Sequence, residues 1–263
     1  MEYRIEGSDL QFVRVTLAPG ESVVGEPGAM MYIDEGIDVD TRLGDGVDEG
    51  LFSRLAGAFK RKLTGENIFS TVFTNSTTRP LHVAFAAPSP GRIMAVDLAS
   101  LGGSLICQKR AFMAGAQGVR VGLAFKKRLR VGFFGGEGFI LQRLTGPGTA
   151  FIHASGALTQ IDLAPGQALR VDTGCLAALT PSASYDIKYV GKIKTSLFGG
   201  EGLFLAHLKG PGTVWLQSLP LPRLVTELSV ASGPRGIGAR LLYFGLIIIS
   251  VLIALLAEAP SGP

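Results

Sequence analysis

Two copies of one short motif, Gly135-Gly136-Glu137-Gly138 and Gly199-Gly200-Glu201-Gly202, are the first places in this chain that could house chemistry. Backbone N–H groups in glycine-rich turns can cradle an anion, as phosphate loops do. Neither copy is followed by Lys-Ser or Lys-Thr, neither opens a helix, and both lie between strand-like runs. Glycines that supply positive φ at bulges and tight turns account for them better. A weaker version, Gly65-Glu66, comes earlier. Glu66, Glu137 and Glu201 would then recur once per repeat, and three carboxylates around a threefold axis could hold a cation. The plainer expectation is turn capping, or pairing with nearby basic residues such as Lys60, Arg61 and Lys62, Lys126 to Arg130, and Lys188, Lys192 and Lys194. Those clusters read as solvated strand faces, with a positive surface toward anionic lipid or a partner as the alternative.

The remaining chemistry is sparse. A cupin-like metal centre needs a His-x-His pair, a carboxylate and another histidine converging on one ion. This chain has His82, His153 and His207, well separated and not repeat equivalents, since Arg143 aligns with His207 and Gln217 with His153. There is no GxSxG elbow, and Cys107 and Cys175 sit in apolar runs without a CxxC pair. Buried free thiols, suited to a reducing compartment, are expected, with a disulfide between them as the other option. The acidic stretch Asp34 to Asp40, continuing to Asp45, Asp48 and Glu49, lacks the ligand order of a calcium loop. We therefore expect no catalytic residue, no metal site and no cofactor. Net charge is +4 with a sequence pI near 9.2, a mild basicity that identifies no partner.

The elements that would position these residues are strands. Glycine occurs 36 times and proline 14 times in 263 residues, punctuating the chain as short strands and tight turns require. Hydrophobic residues are 47% of the total, ample for a core. Leu17-Ala-Pro-Gly is echoed by Pro88-Ser-Pro-Gly and by Leu163-Ala-Pro-Gly. Gly146-Pro-Gly-Thr recurs as Gly210-Pro-Gly-Thr, and in the first unit we align it with Thr77-Thr-Arg-Pro. Three tandem units follow, about 1–80, 81–155 and 156–228, folding as one all-β body. One stretch departs from the pattern: Leu51, Phe52, Leu55, Phe59 and Leu63 share a helical face opposite Arg54, Lys60 and Arg61. This predicts a helix over 51–63 that covers a sheet edge or docks on lipid headgroups.

The C-terminal region is strongly apolar. Residues 241–257 carry no charge, with Leu241, Tyr243, Phe244, Leu246, Ile247, Ile248, Ile249, Val251, Leu252, Ile253, Leu255 and Leu256 supplying the apolar surface. This run approaches the roughly 20 residues a helix needs to cross a bilayer. It predicts a C-terminal transmembrane helix, a tail anchor after a linker at 229–240. Arg223, Arg235 and Arg240 ahead of the run would place the N-terminal body in the cytoplasm, making a single-pass membrane protein.

The ordered blocks GEN-F from Gly65, FGGEGF from Phe134, GPGTAFI from Gly146, FGGEGLF from Phe198 and GPGTVWLQS from Gly210 resemble the family of altered inheritance of mitochondria protein 24. The resemblance covers about residues 1–218. It implies a repeated, double-stranded β-helix-like sandwich similar to the tryptophan RNA-binding attenuation protein (TRAP-like), and trimeric assembly. It brings no activity, ligand or catalytic residue. Aromatics are not interleaved with the basic clusters, which argues against nucleic acid. The resulting expectation is a non-enzymatic, membrane-anchored scaffold or interaction protein, a homotrimer whose partners are the lipid bilayer and another membrane protein. The alternative is a small-molecule- or metal-binding β-barrel, with an enzyme as one form of it.

Overall fold

A computed structural model describes residues 1–43, 69–127, 139–189 and 204–220. The chain divides into Met1–Pro222 and Arg223–Pro263, and the second part lies outside the described residues. Within the first part the strands fall into three successive blocks. The first holds β1 (Glu2–Glu6), β2 (Phe12–Leu17), β3 (Ser22–Gly25), β4 (Met30–Ile33), β5 (Ile37–Leu43), β6 (Phe69–Asn75) and β7 (Leu81–Ala86). The second holds β8 (Gly91–Asp97), β9 (Ser104–Gln108), β10 (Phe112–Ala116), β11 (Arg120–Lys127), β12 (Phe139–Thr145) and β13 (Thr149–Ser155). The third holds β14 (Leu158–Leu163), β15 (Ala168–Asp172), β16 (Leu176–Leu179), β17 (Ser184–Tyr189), β18 (Phe204–Lys209) and β19 (Gly212–Gln217). The first block thus runs to Ala86, past the boundary expected at 80.

Alternation makes these strands. In β2, Val13, Val15 and Leu17 are fully buried while Phe12, Arg14 and Thr16 on the opposite face are partly exposed. Strand pairing then links the blocks. Two six-stranded sheets run β5-β6-β3-β10-β13-β8 and β11-β12-β9-β16-β19-β14, each joining half of one block to half of the next. A four-stranded sheet, β1-β2-β7-β4, belongs to the first block alone, and a three-stranded sheet, β15-β18-β17, to the third alone.

Three apolar cores lie between successive sheets. Val13, Val15, Val83 and Phe85 of the four-stranded sheet pack with Val23, Phe73, Met113 and Phe151 of the first six-stranded sheet. Phe112 and Ile152 from the other face of that sheet pack with Leu105, Cys107 and Trp215 of the second. Leu141, Leu179 and Val214 of the second pack with Val171, Ile187 and Leu208 of the three-stranded sheet. Each six-stranded sheet is therefore covered on both faces by core.

The expectation of a C-terminal transmembrane helix is corrected. Among the described residues no helix is long and apolar enough to cross a membrane. The helical segments there are single 3-10 turns, Ala99–Leu101 and Thr173–Cys175. Residues 241–257, with Leu241, Tyr243, Phe244, Leu246, Ile247, Ile248, Ile249, Val251, Leu252, Ile253, Leu255 and Leu256, lie outside the described residues. That expectation rested on apolar composition, which governs partitioning but does not by itself supply the hydrogen-bonded helix a span requires. The tail anchor, the single-pass membrane location and the cytoplasmic orientation fall with it. The helix expected over 51–63 also lies outside the described residues.

Candidate functional site

The turn residues Gly65, Glu66, Gly135, Gly136, Glu137, Gly138, Gly199, Gly200, Glu201 and Gly202 all lie outside the described residues. The other candidates are dispersed. His82 Nδ1 lies 2.9 Å from Asp34 Oδ2 on a half-exposed surface. Slight burial raises the Asp34 pKa, but hydrogen bonds and charge from His82 outweigh it and hold the carboxyl below its ordinary value. His153 on β13 is buried, and burial pushes its pKa down despite a hydrogen bond to the Ser89 backbone. His207 sits on β18, opposite Arg170 and Asp186. No group of three or more His, Cys, Asp or Glu suited to a metal occurs among the described residues.

Neither cysteine is in a disulfide; Cys107 is buried as expected, whereas Cys175 is partly exposed. Complete burial pushes Cys107 up to about 12, with the neighbouring Glu26 adding to the rise. A thiol held in that state is not a nucleophile. Burial also raises Glu26, against the opposing charges of Lys109 and Arg110.

A buried polar clamp ties the second block to the third. Gln217 Oε1 accepts the Ser155 N–H at 3.0 Å, and its Nε2 donates to Gln108 Oε1 at 3.0 Å and to the Gly174 carbonyl at 2.8 Å. Ser155 Oγ in turn lies 2.8 Å from Ser89 Oγ. A cluster with its bonds made in this way fixes a joint rather than binding a ligand.

The surface that stands out is formed by two sheet edges. A bulge recurs at one place in every block. Against β7, β13 and β19 the register skips one residue: Met31 between Met30 and Tyr32, Met113 between Phe112 and Ala114, and Ala177 between Leu176 and Ala178. The bulge makes β4, β10 and β16 counterparts. Phe112, Met113 and Ala114 are at most 2% exposed, and Leu176, Ala177 and Ala178 at most 1%. Met30, Met31 and Tyr32 are 45%, 55% and 36% exposed. The difference has a plain cause. Strands β10 and β16 are each paired on both sides, whereas β4 pairs with β7 alone among the described strands.

The complementary edge is β15. Asn75 N–H bonds the Glu21 carbonyl, Gly146 N–H the Gly103 carbonyl and Gly210 N–H the Gln167 carbonyl, one equivalent bond in each block. That bond makes β3, β9 and β15 counterparts. Strands β3 and β9 are sandwiched within sheets, while β15 pairs with β18 alone among the described strands. Ala168 and Arg170 are correspondingly exposed. Sequence reasoning missed both edges, because Met30-Met31-Tyr32-Ile33 reads as an ordinary buried strand.

Comparison with known proteins agrees with this architecture. The chain is 29% identical over 232 residues to an uncharacterised protein of Streptococcus pyogenes serotype M6, spanning 87% of this chain and 90% of that protein. A crystal structure of a Streptococcus pyogenes protein matches with a TM-score of 0.69 at 23% identity, covering 88% of this chain and 99% of that one, a likeness of fold. A family model described as mitochondrial biogenesis AIM24 matches residues 3–219. The chain belongs to that family, as the ordered glycine-rich blocks imply.

Proposed function

We propose that this chain is a non-enzymatic scaffold, an interaction protein that works as a homo-oligomer and is expected to be a trimer. The observation supporting this reading is the uncovered strand β4. Its Met30, Met31 and Tyr32 stand in the open where the counterparts in the other blocks are core. Fully burying a side chain of this kind is worth roughly 1.5–3 kcal/mol, so three adjacent ones make a strong incentive to be covered. Asp34 and His82 are engaged with each other, and His153 and Cys107 are buried, which lends the reading further weight.

The test is the native mass of the full chain in mild detergent, with metal analysis of protein purified without chelator. A mass of several chains and no bound metal is expected. A single chain at tens of micromolar, or a stoichiometric transition metal, would overturn the reading and favour a ligand-binding barrel.

A further inference from the structure

Leu17, Leu98 and Leu163 are buried where β2, β8 and β14 close, and counting back from them makes Phe12, Ile93 and Leu158 counterparts. The same count equates Arg14, Ala95 and Gln160, and then Thr16, Asp97 and Asp162. Each of the three strands has a neighbour from its own block on one side, β7, β13 and β19 respectively. The other side differs from block to block. In the first, β1 pairs antiparallel with β2 and sets Glu2, Arg4 and Glu6 opposite Thr16, Arg14 and Phe12. In the second, residues just after β1 cover the start of β8. The Asp9 carbonyl accepts the Gly91 N–H at 2.8 Å, and Gln11 Oε1 accepts the Ile93 N–H at 2.7 Å. In the third, β14 pairs with β19 alone among the described strands.

The ladder shows which backbone groups this leaves. Ser218 N–H bonds the Ala157 carbonyl, and bonded pairs alternate along an antiparallel ladder. Thr159 and Ile161 therefore turn their backbone groups to β19, and those of Leu158, Gln160 and Asp162 point to the open side. These are the counterparts of the groups that β1 takes on β2. Thr159, Gln160 and Asp162 are exposed, and Ile161 packs, partly uncovered, against the third core. Asp162 Oδ1 accepts from Thr213 Oγ1, and no cation pairs with it among the described residues.

We propose that the open side of β14 takes an extended segment of a partner protein as an added antiparallel strand, in the register that β1 uses on β2. The chemistry of the occupant follows from that seat and from the charge on the edge. On β1, Tyr3 and Ile5 turn to the first core, where Tyr3 stands edge-to-face with Phe151 at 4.9 Å. Val15, opposite Tyr3, is the counterpart of Ile161, so a large apolar residue opposite Ile161 would close the third core in the same way. The residue opposite Asp162 would be basic, where β1 has Glu2 opposite the uncharged Thr16. Main-chain bonds supply the affinity and these two side chains the selectivity. The surface goes beyond the scaffold reading, because it needs no second copy of the chain.

The probe is a synthetic peptide of residues 1–8, the segment seated on β2, carrying Glu2→Lys. Added to the full chain, it is expected to slow hydrogen exchange at the Leu158, Gln160 and Asp162 amides. With Arg4→Cys as well, it is expected to form a disulfide with Gln160→Cys of the chain, the unsubstituted chain being the control for Cys175. Asp162→Lys is expected to reverse the preference between this peptide and one that keeps Glu2, by up to about fivefold, the scale of a cross-strand charge pair. No protection and no crosslink at high peptide concentration overturns the proposal and leaves Asp162 as a guard against edge association. Amides already slow in the free chain show that the chain covers its own edge, and a disulfide between two Gln160→Cys chains without peptide puts a second copy there. Either result also overturns it. Native mass tests the scaffold reading, and none of these readouts depends on it.

Discussion

The inner joints and the outer edges of this molecule are built from the same backbone and end in opposite surroundings. Strand β10 carries Phe112, Met113 and Ala114 into full burial, while β4, with an identically placed bulge, leaves Met30, Met31 and Tyr32 in the open. Residue type does not separate them, since all but one of the six are apolar and Tyr32 is largely so. Position in the strand order does. A block in the middle has neighbours on both sides, and a block at either end lacks one. Burial in a repeat body is thus conferred by adjacency, with side chains selected to match.

The largest test of this contrast is truncation at equivalent places. Phe112→Ala should cost about 3–5 kcal/mol, because it opens a cavity in a filled core. Met30→Ala in dissociated chains should change stability by about 0.5 kcal/mol or less, as for an uncovered surface position. Urea unfolding of both variants reads the difference, and similar losses would mean that β4 is covered in the single chain. Gln217→Leu comes next. It strands the Ser155 N–H and Gln108 Oε1 at the joint between the second and third blocks, at about 1–3 kcal/mol. No comparable loss is expected at the outer edges, where no such clamp is seen among the described residues.

Acidity probes the second block's counterpart of Gln217. Burial lowers the His153 pKa in the folded chain, so below its unfolded value of about 6.5 the unfolded state binds the extra proton. Stability should therefore be intact above that pH. It should then fall, by at most about 1.4 kcal/mol per pH unit, until the lowered folded value is reached. His153→Gln, which copies Gln217 of the third block, should flatten that slope in pH-dependent unfolding; an unchanged slope would assign the effect to another group. A small effect belongs to the half-exposed pair beside β4. Asp34→Asn should cost about 0.2–1 kcal/mol at neutral pH, as for surface ion pairs generally. The lowered Asp34 pKa means its contribution is present above about pH 4 and disappears as pH falls through the folded value. A double-mutant cycle with His82→Ala isolates it.

Much of the β architecture was legible because period-two alternation is local, as in Val13, Val15 and Leu17. Repeat phase was harder to read. Pro19-Gly20 and Pro165-Gly166 lead into the counterparts β3 and β15, but Pro90-Gly91 leads into β8, the counterpart of β2 and β14. A better signal was Leu17-Ala18, Leu98-Ala99 and Leu163-Ala164, whose leucines are all buried at the close of equivalent strands. The Gly-Pro-Gly turn was weak in the first block for a chemical reason. Asn75 replaces its first glycine and holds a longer turn with its side chain, donating to the Leu17 and Arg79 carbonyls and accepting from Thr77. The glycine after proline is constrained in the other two blocks. At Gly148, φ is 101° and a Cβ would lie 2.6 Å from the Ala116 Cβ, and at Gly212, φ is 149° and a Cβ would lie 2.7 Å from the Ala183 nitrogen. The open edges were invisible for the opposite reason, since exposure there depends on which strand is missing.

The recurring bulge makes the blocks interchangeable parts. Because the joints β3–β10 and β9–β16 share one register, and β10 and β16 carry equivalently placed bulges, a chain shortened by its middle block would still bring β3 to β16 with strands in step. The length of this protein is then a number of modules rather than a fixed design, and chains of two or four blocks should fold by the same rule.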